Sequence, residues 1–276
     1  MVRITALMDN NCSSNTALIA EHGLSYLLEW PDRRILFDCG SGSSTWHNAH
    51  RLGRNVRHLD AVILSHSHYD HAGGYRDLLE SGGGGPVLYT GPRFFEPKFA
   101  YDGLRYTDLS CGFDEEFLKA RGIRRRVIED VTEIYPGVWL AAGFPRTHPF
   151  ETIPQRFVRQ TGSGFAADDF GDEICLVLET GGHLAVLAGC SHPGILNMVQ
   201  HIHTTLDKPV YAVFGGTHLV EADEARINAT VTELQQMGVE ILGLSHCSGE
   251  SAEHAVCQIA AVRSCHLAAG DCIFLD

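Results

Sequence analysis

Ala61-Val-Ile-Leu-Ser-His66-Ser-His68-Tyr-Asp70-His71-Ala-Gly-Gly74 is an apolar run of strand length that opens into four metal-binding side chains within six residues. In extended backbone successive side chains alternate, so His66 and His68 project to the same side. A turn into a following helix then brings Asp70 and His71 round to face them. Imidazoles combined with a carboxylate suit zinc, iron or manganese better than calcium. The competing reading, a polar surface run capping a helix, leaves four ligating groups directly after a buried strand without a reason.

The rest of the chain supplies a scaffold for such a site. Apolar runs of strand length recur at Val2–Met8, Leu24–Trp30, Arg34–Phe37, Ala61–Leu64, Val87–Tyr89, Val138–Ala142, Ile174–Leu178, Leu184–Leu187, Val210–Phe214 and Val239–Leu244. They are rich in Val, Ile and Leu and end in Gly, Asp, Ser or His, which favours strands over buried helix segments. Between them lie helix-like stretches. The clearest is Glu221 to Met237, with Ala225, Ile227, Val231 and Leu234 on one face and Gly238 as its stop. Others begin near Ser43, after Ala72, after Pro193 and at Glu250. Strands alternating with helices indicate a layered α/β fold. From Pro92 to about Asp172 the strands thin out and charges and aromatics gather, which reads as an excursion over the site. Ser81-Gly-Gly-Gly-Gly85 lacks the lysine and spacing of a phosphate loop and reads as a flexible turn.

Composition narrows the function. The chain has 276 residues, 21 Lys+Arg against 34 Asp+Glu and a net charge of −13. That balance disfavours a nucleic-acid partner held through its phosphates, which needs clustered Lys and Arg. The one basic cluster, Arg121 to Arg126, reads as a solvated helix end. No apolar run approaches the roughly 18 residues of a membrane span, and Met1–Met8 reads as a strand meeting a turn, not as a signal peptide. Nine cysteines, scattered from Cys12 to Cys272 with no C-x-x-C pair, read as reduced thiols of a cytoplasmic protein. Histidine is the outlier, at 16 residues.

The H-x-H-x-D-H element of His66, His68, Asp70 and His71 resembles the signature of the metallo-β-lactamase superfamily. Upstream, Ile35-Leu-Phe-Asp38-Cys-Gly40 is similar to the strand whose terminal aspartate supports the ligand loop. Downstream, Leu184-Ala-Val-Leu-Ala-Gly189-Cys190-Ser-His192-Pro-Gly194 and Gly243-Leu-Ser-His246-Cys-Ser-Gly249 resemble the later ligand strands. With Asp9-Asn-Asn11 and Glu21-His-Gly-Leu-Ser25, these segments resemble one branch, described as dihydropterin ribofuranosylaminobenzene-phosphate synthase-like metallohydrolases. The resemblance implies an αββα sandwich, two mixed sheets face to face with helices outside, as a single domain over residues 1–276 with the excursion at about 92–172.

It also implies one or two divalent metal ions, zinc first, with iron or manganese as alternatives. His66 and His68 would hold one metal together with a further imidazole; Asp70, His71 and His246 would hold the other. The chain departs from the common pattern where a bridging aspartate is usual, because Cys190 stands there. His192, two residues on, is favoured as the missing imidazole, ahead of Cys190 and then His148. Asp38 reads as a carboxylate that orients a ligand histidine. His22 and Glu21 read as turn residues. His218 and Arg146 are open between substrate contacts and structural roles. The metals would turn water into a nucleophile at neutral pH, with Asp70 as the residue that both ligates and orients it. The expected function is a metal-dependent hydrolase acting on an ester or phosphoester-type bond of a small metabolite. The alternatives are an iron-dependent oxidoreductase and a metal-binding regulatory module without turnover. Oligomeric state is left open.

Overall fold

The apolar runs form strands because both of their faces are buried. A computed structural model describes residues 1–276. In chain order its elements are β1 (Val2–Met8), β2 (Ser25–Glu29), β3 (Arg34–Phe37), α1 (Ser44–Arg51), β4 (Ala61–Ile63), α2 (Tyr69–Ala72), α3 (Gly74–Glu80), β5 (Val87–Thr90), β6 (Lys98–Tyr101), β7 (Tyr106–Asp108), α4 (Glu115–Ala120), β8 (Arg124–Val127), β9 (Thr132–Tyr135) and β10 (Val138–Ala141). There follow β11 (Phe157–Thr161), β12 (Gly164–Ala167), β13 (Cys175–Thr180), β14 (His183–Ala188), α5 (Ile195–Leu206), β15 (Val210–Gly215), α6 (Glu224–Gln236), β16 (Ile241–Leu244), α7 (Glu250–Cys257), β17 (Arg263–His266) and β18 (Cys272–Leu275).

Two seven-stranded sheets, β18-β1-β2-β3-β4-β5-β8 and β17-β16-β15-β14-β13-β10-β9, are each antiparallel at one end and parallel at the other. The period-2 alternation of strands divides their side chains between layers. In the first sheet Tyr26, Leu28, Ile35, Phe37, Ala61 and Ile63 enter a central core, while Leu27, Leu36 and Val62 turn outward to helices α1 and α3. In the second, Leu176, Leu178, Ala185 and Leu187 enter that central core, while Val177, Leu184 and Val186 pack under α5, α6 and α7. The result is the αββα sandwich, with one core between the sheets and one under each helical layer.

The middle of the chain departs from its sequence reading. Seven strands lie between residues 92 and 172, so strands do not thin out there. Four of them, in the order β12-β11-β6-β7, build a separate small sheet. Only the start of the Arg121–Arg126 cluster is a solvated helix end, with Arg121 the exposed C-cap of α4; Arg124–Val127 is β8, paired in parallel with β5. Arg125 is tied there to Glu115 and lies over the Phe95 ring. Short edge strands with polar faces lack the apolar run that marks a buried strand.

Candidate metal centre

The strand ends β3, β4, β14, β15 and β16 converge on one rim of the sandwich, and the chain bends sharply as it leaves them. Of the seven residues other than glycine with positive φ, five stand around this rim: Asp38, Phe170, Ser191, His218 and His246. Such backbone is uncommon outside glycine and costs about 1–3 kcal/mol per residue, so its concentration marks a site whose shape is imposed. Gly189, at the end of β14, allows the two sheets to close here. A Cβ at that position would stand 2.2 Å from Ser65 Oγ.

His66, His68 and His192 bring one ring nitrogen each to within 4.8 Å of one another. All three residues are buried, and His66 Nε2, His68 Nε2 and both nitrogens of His192 have no hydrogen-bond partner in the protein. Buried polar atoms are otherwise nearly always paired, so three converging unpaired nitrogens fit a metal ion. Burial above all, with neighbouring imidazoles, holds each of these histidines well below its ordinary pKa. They are therefore neutral, the form that donates a lone pair. The His192 ring is stacked on Phe170 at 3.7 Å between centroids, with Lys98 Nζ 4.4 Å over the other ring.

Beside this group lies a second. Asp70 Oδ2 stands 3.6 Å from His71 Nε2, 3.3 Å from His246 Nε2 and 3.2 Å from His22 Nε2. His71 Nε2 is 3.1 Å from both His246 Nε2 and Cys190 Sγ. Cys190, His246 and Cys247 form a further cluster, with the two sulfurs 3.4 Å apart. Burial would raise the Asp70 carboxyl, but His71, His22 and His246 hold it well below its usual value. Burial lowers His71, but Asp70 and Asp38 raise it to about 9. Burial, then Cys247, pushes the Cys190 thiol up.

The ring orientations are set from behind. Asp38 is fully buried and accepts the Ser65 N–H at 2.7 Å, the Ser65 hydroxyl at 2.7 Å and His71 Nδ1–H at 2.7 Å. Because Ser65 Oγ spends its proton on Asp38, it accepts from His66 Nδ1 at 3.0 Å. One carboxylate thus orients two histidines, His71 directly and His66 through Ser65, and leaves the Nε2 atom of each facing the other candidate ligands. Asn10 Oδ1 does the same for His246, through Nδ1 at 2.9 Å. The adjacent residues Asp172 and Glu173 hold opposite arms of the three-histidine group. Asp172 accepts the N–H of Ser67, between His66 and His68, whereas Glu173 accepts those of Ser191 and His192. Burial pushes Glu173 up to about 8 despite those two donors.

Every metal-ligand candidate of the sequence reading (His66, His68, Asp70, His71, Cys190, His192 and His246) stands at this rim. His148 does not. Its Nε2 pairs with Glu233 on α6 and its Nδ1 faces Asn197, so it belongs to the helical layer. Arg146 donates to the Asp169 carbonyl and lines a different cavity. The segment carrying His66 and His68 is a bend and not an extended strand, since β4 ends at Ile63. The two rings still meet, at 4.7 Å between centroids. Sequence reasoning set His22 aside as a turn residue and passed over Cys247. The signal for His22 was the glycine after it: a Cβ on Gly23 would stand 2.5 Å from the Asp70 carbonyl oxygen. The signal for Cys247 was that both His-bearing strand ends, Cys190-Ser-His192 and His246-Cys247, also carry a cysteine.

The rim opens into a cleft of about 260 Å³, with Leu109, Phe157 and Val220 as apolar wall and Arg156, Glu221 and His218 as polar wall. Arg156 is ion-paired with Glu221 and lies over the Phe157 ring. His218 is mostly buried, its ring 4.4 Å from His192, and burial lowers its pKa to about 4.

An αββα sandwich with histidines, aspartate and cysteine gathered at one rim defines a metal-binding α/β protein, and comparison with known proteins says which. The chain belongs to the metallo-β-lactamase superfamily, whose family model matches residues 18–151. It is 31% identical over 268 residues to the 7,8-dihydropterin-6-methyl-4-(β-D-ribofuranosyl)-aminobenzene-5'-phosphate synthase of Methanocaldococcus jannaschii, covering 92% of this chain and 90% of that one. The crystal structure of Tm1679, described as a metal-dependent hydrolase of the β-lactamase superfamily, superposes with a TM-score of 0.84 at 28% identity, covering 99% of both chains. Zinc-bound PqqB from Methylobacterium extorquens shares the fold, with a TM-score of 0.58 at 15% identity over 99% of this chain and 100% of that one. The superfamily consists in general of metal-dependent hydrolases, and its fold binds divalent metals. No helix of the chain is long and apolar enough to cross a membrane.

Proposed function

We propose that the protein is a metal-dependent hydrolase of an ester or phosphoester-type bond in a small metabolite. The observation that carries the reading is the convergence of three buried, unpartnered imidazoles beside an ionised aspartate in an open cleft. In this reading His66, His68 and His192 hold one metal ion; Asp70, His71 and His246, with Cys190, hold the other. Zinc suits this mixture of nitrogen, carboxylate and sulfur donors. A divalent metal, when bound, supplies Lewis acidity that polarises the scissile group and lowers the pKa of water from about 15.7 toward about 7.

The chain does the rest. Asp38, through Ser65 and His71, keeps two donor nitrogens aimed forward, and Asn10 keeps the third. Asp70 faces the cleft as an ionised carboxylate, positioned to accept a proton from the attacking water and to orient it. Phe157, Leu109 and Val220 form an apolar wall that excludes bulk water from one side of a bound substrate. Arg156 and His218 offer donors to an anionic or oxygen-rich group. A cleft of about 260 Å³ is near the small end of ligand sites, consistent with a small metabolite. Nine unbridged cysteines support a cytoplasmic setting.

A second reading is favoured by the 31%-identical relative, which is named as a synthase: the same cleft would join two substrates instead of cleaving one. A panel of phosphoesters and lactones, offered to zinc-loaded protein, separates them. Hydrolysis that falls roughly 100-fold or more in Asp70→Asn supports the hydrolase. Stoichiometric metal with no hydrolysis anywhere on the panel rejects it.

A further inference from the structure

We propose that the second metal position is sulfur-rich, with Cys247 as a ligand alongside Cys190, His71 and His246. The inference deepens the metal-centre reading and rests on it. Cys190 and Cys247 come from different strand ends, after β14 and after β16, and yet both are buried and both line the cleft. Their sulfurs stand 3.4 Å apart, and Cys190 Sγ, Cys247 Sγ and a ring nitrogen of His246 all lie within 4.8 Å of one another. His71 Nε2 adjoins this group, 3.1 Å from both Cys190 Sγ and His246 Nε2. Two sulfurs gathered with an imidazole nitrogen form a soft donor set, which selects zinc or iron over magnesium, calcium or manganese.

Two independent features point the same way. Gly216 leaves the space in which the sulfurs meet: a Cβ there would stand 2.6 Å from Cys247 Sγ and 3.4 Å from Cys190 Cα. In addition, the His218 backbone N–H points at Cys247 Sγ at 3.3 Å. An N–H aimed at sulfur stabilises a thiolate, the form that binds metal. Capture of the ion releases one proton from each thiol to solvent. Asp70, 3.3 Å from His246 Nε2 on the side facing the cleft mouth with His22, keeps its place in this position and orients water from there.

Cadmium NMR of the full chain tests this, because each thiolate moves the metal's resonance strongly downfield of an all-nitrogen site. Two resonances are expected from the wild-type protein, one in the all-nitrogen range from His66, His68 and His192, and one displaced by two sulfurs. Cys247→Ser should give back one sulfur's share of that displacement and leave the first resonance in place. A second resonance displaced by a single sulfur, or not displaced, overturns the proposal while leaving the metal centre standing. Absence of the all-nitrogen resonance instead contradicts the three-histidine position itself. The wild-type spectrum decides the matter even if the variant does not fold.

Discussion

Asp38 sits fully buried at a backbone φ of 59°, where aspartate and asparagine are among the few tolerated side chains, and accepts three hydrogen bonds. Asp38→Asn keeps the shape and the backbone preference but places an amide where only acceptors fit. Loss of an orienting partner behind a metal ligand typically costs about 10–100-fold in affinity or activity. We therefore expect zinc affinity, measured by chelator competition, to fall in that range with the circular dichroism spectrum unchanged. Unchanged affinity would remove Asp38 from the positioning role. The residues missed in the sequence belong to this scale. His22 and Cys247 gain meaning only through partners far along the chain, Asp70 for one and Cys190 for the other. The local signals, a glycine after His22 and a cysteine beside each late histidine, do not name those partners.

The strands were legible wherever both faces are buried. Ile35-Leu-Phe37 and Leu184-Ala-Val-Leu187 alternate between two apolar cores, so every position is hydrophobic and the run stands out. Edge strands such as Arg124–Val127 and the small sheet β12-β11-β6-β7 carry polar side chains on at least one face, so nothing distinguishes them from loops. That small sheet is anchored by a buried charge. Lys98, on β6, lies 3.1 Å from Asp168 and 2.5 Å from Asp172, and all three are buried. Lys98→Met would strand two buried carboxylates, one of which also holds the Ser67 N–H between His66 and His68. Breaking such a set by removing one partner costs about 3–5 kcal/mol. A urea midpoint lowered correspondingly, with weakened zinc binding, is the expected result; an unchanged midpoint would show that the sheet is anchored elsewhere.

At the scale of the whole molecule the two sheets are locked at the rim by contacts between distant segments. Asp9, at the end of β1, accepts the N–H of His246 at 2.8 Å and His266 Nε2–H at 2.8 Å, while His266 Nδ1 faces Glu253 on α7 at 2.9 Å. The hydrogen bond to Asp9, above all, raises His266 to about 9 from its ordinary value near 6.5. The folded state therefore holds this proton more tightly than the unfolded chain. Its stabilisation is complete below about pH 6.5 and is lost as pH rises through about 9. His266→Gln should flatten that part of the profile of urea midpoint against pH; a variant as alkaline-sensitive as the wild type would exclude His266 as the source. The same rim gathers the metal candidates, and the most direct measurement there is anomalous diffraction at the zinc edge from crystals of the zinc-loaded chain. A peak about 2.0–2.1 Å from His66 Nε2, His68 Nε2 and a nitrogen of His192 is predicted. Stoichiometric zinc with no peak between those three imidazoles would contradict it.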